Sequence, residues 1–231
     1  MLTGYQLLPL LLKELVIDQA IGSISLSPEE EAVALEQFYQ QQHLQAQTQR
    51  QEWLDYHRMS SEQLTQQAHR QLKLHKFKVQ HWQHQIESDF LQQKGQFDQY
   101  LYSLIRVTNA EVALELYFRL QAGEQSFAEL AQQYSQGPEA QAGGLVGPVL
   151  ANALHPTLAQ LLTTLQPGQV EPPIPLGDWY VLVTLQHRIS AQLNNSLRHT
   201  LLDRRFNAWM QDQIQRLSVS DHAISVSIQL P

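Results

Sequence analysis

Residues 134–147 read YSQGPEAQAGGLVG, and between Gly137 and Pro148 the chain gathers four of its ten glycines and two of its ten prolines. Glycine is needed where φ is positive or where two backbones approach closely, and proline holds φ near the turn region. The stretch therefore reads as a shaped loop, and the segments on either side fall into a regular order around it. Before it, YLYSLIRV (100–107) is β-branched and aromatic enough for a strand. NAEVALELYFRLQAG (109–123) is a helix capped by Asn109 and stopped by Gly123, and SFAELAQQYS (126–135) is a short helix begun at Ser126. After it come a strand-like segment, a helix from Pro156 to Leu165, the turn QPGQ (166–169), a short strand near Glu171 to Ile174, and WYVLVTLQH (179–187) as a final strand.

Outside this region the texture changes. From Gln6 to about Glu87 there is almost no strand signal. Apolar residues recur there at helical spacing: Leu8, Leu11, Leu12, Leu15 and Val16 in one segment, Val33, Phe38 and Leu44 in the next. Ser27-Pro28-Glu29-Glu30 is a helix start, with Ser as N-cap, Pro at the first helical position and acids at the positive end of the helix dipole. Ser60-Ser61-Glu62-Gln63 repeats that logic as a capping box for a helix running through Leu72 and Leu74. The glutamines of QFYQQQHLQAQTQRQ (37–51) are interleaved with Phe38 and Tyr39 and followed by Trp53 and Tyr56, which reads as a packed helix with a solvated amide face. Beyond the final strand, Ala191 to Leu217 is an amphipathic helix with Leu197, Leu201, Phe206, Trp209 and Ile214 on or near one face. The tail SVSDHAISVSIQLP (218–231) alternates weakly and reads either as an edge strand or as a disordered end.

With 231 residues and 43% apolar composition, the chain has material for one large core or two small ones. A net charge of −7 and no basic stripe argue against a nucleic-acid footprint, which depends on clustered Lys and Arg. Cysteine is absent, which excludes disulfides, thiolate catalysis and Cys-ligated zinc. The amino-terminal apolar run has no preceding positive charge and no small-residue cleavage pattern. Pro9, Lys13 and Glu14 interrupt it well short of the roughly 20 residues that span a bilayer, so it reads as a mature helix of a cytoplasmic protein with no signal peptide and no membrane span.

The segments FAELAQQYSQGPEAQAGGLVG, LHPTLAQLLTTLQPGQVEPPI and GDWYVLVTLQHR together resemble a parvulin-type (PpiC, rotamase) peptidyl-prolyl isomerase domain over residues 102 to 188. The resemblance implies a four-stranded antiparallel sheet wrapped by helices, with the glycine-rich loop crossing beside a substrate groove. The flanks LLKELVIDQAI, LSPEEEAVALEQFY, WLDYHRMSSEQLTQQAHRQLKLHKFK and IESDFLQQKGQFDQYLYS are similar in course to the helical chaperone domain of SurA- and PrsA-like foldases. The fold class expected is thus α+β: a mainly helical domain over 1–98, an inserted parvulin-like domain over 99–190, and a helix and tail over 191–231 that pack on the first domain.

Carried over residue by residue, the family's polar cluster of two histidines and a Cys or Asp falls on Ser103, Trp179 and Gly137. None of these supplies the customary group. The apolar proline pocket falls on Leu154 and Leu158, with Leu176 as a third wall, Trp179 as a further wall or a core aromatic, and Ser103 as a hydroxyl that bonds either a substrate carbonyl or its own backbone. The resemblance places His155 on the loop just outside the pocket. His75, His81 and His84, with Glu87, invite a metal reading by their spacing, but an exposed helix rich in Gln, Lys and His explains them better, and no metal or cofactor is expected. The implied function is peptidyl-prolyl cis-trans isomerisation in unfolded or proline-containing polypeptides, with reduced efficiency for want of the polar cluster. The alternative is a catalytically silent peptide-binding chaperone or adaptor that kept the groove.

Overall fold

The structure, a computed structural model, describes residues 8–216 together with 219, 220, 223, 224 and 230. In chain order the elements are α1 (Leu8–Ile21), α2 (Pro28–Gln41), α3 (Gln47–His57), α4 (Ser61–Trp82), α5 (Ile86–Phe97), β1 (Gln99–Val107), α6 (Ala110–Ala122), α7 (Phe127–Tyr134), β2 (Leu145–Leu150), α8 (Pro156–Thr164), β3 (Ile174–Leu176), β4 (Trp179–Ile189) and α9 (Asn195–Arg216). Val219–Ser220 and Ala223–Ile224 form a short antiparallel pair, β5 and β6. The rest of the tail, Leu217 and residues 1–7, on which the amino-terminal reading partly rests, lie outside the described residues. Two compact units result: residues 1–89 with 194–231, and residues 90–193. The sequence reading drew these divisions at 98/99 and 190/191. In the structure the divisions fall at 89/90 and 193/194, with Phe90 and Phe97 of α5, 6.5 Å between ring centroids, in the second unit.

The helical unit is built on α4, against which α1, α2 and α9 pack. Its starts are those the sequence signals. The Ser27 and Ser60 hydroxyls accept from the amides of Glu30 and Gln63, while the side chains of Glu30 and Gln63 accept from the amides of Ser27 and Ser60. Along α1 the buried face is Leu12, Val16, Ile17, Ala20 and Ile21, so Leu11 is turned toward water, and along α2 Ala34 and Phe38 are inside while Val33 is half exposed. An aromatic cluster joins α4 to α9: Phe77 lies 6.3 Å from Phe206 and 5.3 Å from Trp209, and Trp82 lies 6.3 and 6.1 Å from the same two rings. Asp89 pairs with Arg205 and Lys78 with Asp203 along the same seam. Helix α9 begins at Asn195, four residues later than the sequence reading, because the Asn194 side chain caps it by accepting from the Leu197 amide.

The second unit is a four-stranded antiparallel sheet in the order β2-β1-β4-β3. One face is covered by α8, with Tyr100, Tyr102, Leu104, Val181, Val183 and Leu185 meeting Leu158, Leu162 and Leu165. The other is covered by α6 and α7, with Ile105, Val107 and Leu182 meeting Ala113, Leu116, Leu130 and Ala131. The strand expected near Glu171 to Ile174 forms later, at Ile174–Leu176, because Pro172 and Pro173 have no amide hydrogen to give a ladder. Buried Asp98, just before β1, accepts from Arg188 near the end of β4 at 2.9 and 2.6 Å and from the Ala191 amide at 2.9 Å, which ties the two ends of the unit together. Among the described residues no helix is long and apolar enough to cross a membrane.

Candidate functional site

The glycine-rich loop is held by a buried ion pair. Arg106, on β1, donates through Nε and Nη2 to the two oxygens of Glu139 at 2.8 and 2.7 Å, and the Ser135 hydroxyl donates to the same carboxylate at 2.7 Å. Burial works against the charge on Glu139, but the bonds from Arg106 and Ser135 outweigh it and hold its pKa below the usual carboxylate value. From this anchor the loop turns back onto the sheet, where the Gly144 carbonyl accepts from the Leu104 amide at 2.8 Å. Gly144 has φ +84°, and a Cβ there would stand 2.8 Å from the Leu104 oxygen, so positive φ and close approach both demand glycine at this point.

The loop leads through β2 into α8, and between α8 and the sheet lies a groove of about 280 Å³. Its apolar walls are Leu154, Leu158, Leu176 and Trp179, with Val149, Leu104 and Val181 behind them. Tyr102, Arg106 and His155 bring polar atoms to its edge. Leu158 is buried at the base, and Leu154 stands at the end of a short turn of 3-10 helix (Ala151–Ala153) that delivers the chain to α8. His155 caps α8, its Nδ1 accepting from the Thr157 amide at 3.3 Å, a bond that leaves the Nε2–H tautomer of the neutral ring. Burial raises the pKa of Tyr102, which the Arg106 guanidinium opposes and the Glu139 carboxylate reinforces. The net shift is upward, and the phenol is a neutral donor at physiological pH.

Four of the expected groove residues, Leu154, Leu158, Leu176 and Trp179, line one cavity. Ser103 does not. It is buried on the opposite face of β1, where its hydroxyl accepts from Gln186 Nε2 at 3.0 Å, because strand alternation sends Tyr102, Leu104 and Arg106 one way and Ser103, Ile105 and Val107 the other. Gly137 lies flat against the Arg106–Glu139 pair, and a Cβ at that position would overlap both side chains. A Cys or Asp there would have to displace the Arg106–Glu139 pair. His155 lines the groove rather than standing outside it. Tyr102, Arg106 and Glu139 carried no motif. The signal that singles out the first two is the period-2 pattern of β1 itself, together with a lone arginine in an otherwise uncharged strand. The helix bearing His75 and His81 ends at Trp82, and His84 and Glu87 follow on a 3-10 turn and on α5. His75 lies beside His199, His81 rests on Phe77 and His84 bonds Gln85.

An antiparallel β-α-α-β-α-β-β unit, its groove between the last crossing helix and the sheet, inserted in chain order between two segments of a helical unit, defines a parvulin-type fold. Residues 106–187 match the family model described as Rotamase, the PPIC-type PPIASE domain. The chaperone SurA of Vibrio cholerae is 34% identical over 104 residues, a match covering 41% of this chain and 24% of that protein. SurA of a Shewanella species is 30% identical over 115 residues, covering 47% and 26%. The match thus spans about a quarter of the length of these curated relatives. The crystal structure of the peptidylprolyl isomerase PrsA from Bacillus cereus shares the fold with a TM-score of 0.53 at 19% identity, over 94% of this chain and 86% of that one. PrsA from Bacillus anthracis does so with a TM-score of 0.50 at 19% identity, over 92% and 100%.

Proposed function

We propose that this chain is a parvulin-type foldase that seats proline-containing segments of polypeptides in the groove beside α8 and lowers the barrier to rotation about the prolyl bond. The observation that carries the reading is the meeting of four apolar walls, Leu154, Leu158, Leu176 and Trp179, with two hydrogen-bond donors, Tyr102 and Arg106. Rotation of an X-Pro bond must cross about 18–20 kcal/mol because amide resonance resists twisting. The cis and trans forms differ by only about 0.5–1 kcal/mol. No nucleophile or cofactor is required, only a site that favours the twisted amide over the planar one. Apolar walls strip water from the planar amide, which that water stabilises. When the bond twists, the nitrogen lone pair localises and becomes an acceptor for a donor at the groove edge. A hydrogen bond involving a charged group contributes about 1.5–3 kcal/mol, so one such bond made only in the twisted state accelerates rotation by roughly one to two orders of magnitude.

A second reading is favoured by a specific observation: Ser103, Gly137 and Trp179 supply none of the family's customary polar groups. On that reading the groove binds peptide without turnover, as in a chaperone or adaptor. A protease-coupled assay with a prolyl peptide on the full chain separates the two. Isomerase activity above the uncatalysed rate, depressed together with peptide binding by Leu154→Ala, is the expected result. Peptide binding with only the uncatalysed rate selects the silent module. No binding at all refutes both.

A further inference from the structure

Helix α6 carries two apolar faces, and the fold uses one of them. Ala113 and Leu116 are buried against the sheet, with Val112 and Leu120 half-buried beside them. On the outer side Ala110, Leu114, Phe118 and Ala122 recur at every fourth position, and all four are exposed, Leu114 by 46% and Phe118 by 59%. That spacing sets them in a single row along the helix surface. Of the seven phenylalanines only Phe118 is exposed, and it stands in the middle of the row.

Carboxylates border the row. Glu111, Glu115 and Glu124 share one shallow surface with Leu114, Phe118 and Ala122. Glu115 pairs with Arg119, whose guanidinium also donates to the Tyr134 hydroxyl, while Glu111 and Glu124 have no cationic partner among the described residues. Three carboxylates thus face a single guanidinium that is already engaged, and the apolar row lies in a field of negative sign.

We propose that the outer face of α6 docks a basic amphipathic helix of another polypeptide, with apolar residues at i and i+4 packing on Leu114 and Phe118 and flanking lysines or arginines meeting Glu111 and Glu124. Shape and charge both select this occupant. A row of residues four apart is a ridge that seats in the groove of a second helix, and α6 offers no strand edge along which an extended segment could pair. The acidic border repels anionic lipid headgroups, and a second copy of this chain, with a net charge of −7, brings the same sign. Because α6 covers the face of the sheet opposite α8, this surface is independent of the reading of the groove there.

The test is fluorescence anisotropy on the full chain with a labelled, proline-free helical peptide of leucine, alanine and lysine, its leucines at i and i+4. One control scatters the same leucines around the helix, and another replaces lysine by glutamate. The first peptide is expected to bind about tenfold more tightly than either control, and less tightly as salt is raised. Phe118→Ala should weaken it about tenfold while leaving prolyl-peptide binding unchanged. Equal binding of the scattered peptide, or an unchanged affinity in Phe118→Ala, overturns the proposal. Should Phe118→Ala unfold, a charge reversal decides: Glu111→Lys with Glu124→Lys must exchange the preference from the lysine to the glutamate peptide, or the surface is wrong. Sedimentation showing a dimer that Phe118→Ala dissociates, or binding to phosphatidylcholine vesicles that Phe118→Ala abolishes, overturns the choice of a foreign helix.

Discussion

Replacing Glu139 by glutamine tests whether the Arg106–Glu139 pair is the anchor of the glycine-rich loop. The Glu139 side chain is 2% exposed and that of Arg106 30% exposed. Glutamine keeps one acceptor for the two Arg106 donors and sets its own NH2 against the other, so one donor of the guanidinium loses its partner. Removing one member of a fully buried pair costs about 3–5 kcal/mol, and the partial exposure of Arg106 lets water recover some of it, which leaves about 2–3 kcal/mol. At 1.4 kcal/mol per factor of ten, protection of the β1 amides against hydrogen exchange should fall by about 30- to 150-fold. Mass-spectrometric exchange on the full chain reads the peptide covering 100–107, including the Leu104 amide that bonds Gly144, alongside the peptide covering 61–82 in the helical unit. The pH sign follows from the lowered pKa of Glu139: its contribution is present above the ordinary value of 4.5 and is lost as pH falls through the lower folded value, a loss the variant lacks. Protection of the β1 amides within about threefold of wild type, or an equal loss in both units, refutes the anchoring argument.

Tyr102→Phe should weaken prolyl-peptide binding or turnover while leaving thermal stability nearly unchanged, whereas Ser103→Ala should cost about 0.5–1 kcal/mol, water replacing the lost bond at the exposed Gln186 amide, and leave peptide binding alone; competition binding and melting curves distinguish them. His75 has a folded pKa below its ordinary 6.5, so the unfolded chain takes up its proton first and the residue destabilises the helical unit as pH falls through that value. The stability gap between wild type and His75→Gln should therefore move in the variant's favour by less than about 1 kcal/mol between pH 7.5 and 5.5, read by circular-dichroism melts; a gap independent of pH sinks the assignment.

The elements were legible because their punctuation is local. Ser27, Ser60, Asn109 and Ser126 each cap the helix their sequence context announces, since an N-cap needs only its own side chain and the next three residues. The start of α9 was misplaced by four residues for a nonlocal reason: the Ala191 amide is drawn to Asp98, 93 residues earlier, and the helix waits for Asn194 to cap it. The groove divides the same way. Leu154 and Leu158 were legible because their place depends on local chain, the turn that enters α8 and the first turn of α8 itself. Whether Ser103 or Tyr102 faces the groove depends on strand parity, where a shift of one residue reverses every side chain, so an alignment adequate for the fold points at the wrong face.

Gly137 shows why a missing polar group need not mean a simple loss. Seen in sequence, it is a position emptied of Cys or Asp. In space it is occupied from both sides, because the Arg106–Glu139 pair fills the volume that such a side chain would need. The family's polar atom would displace this ion pair from its present place, and the pair brings a guanidinium to the groove edge where the resemblance alone supplied nothing. Gly137→Asp should for that reason not restore a family-like site: it would set a second carboxylate against Glu139 and compete for Arg106, loosening the loop rather than completing a cluster.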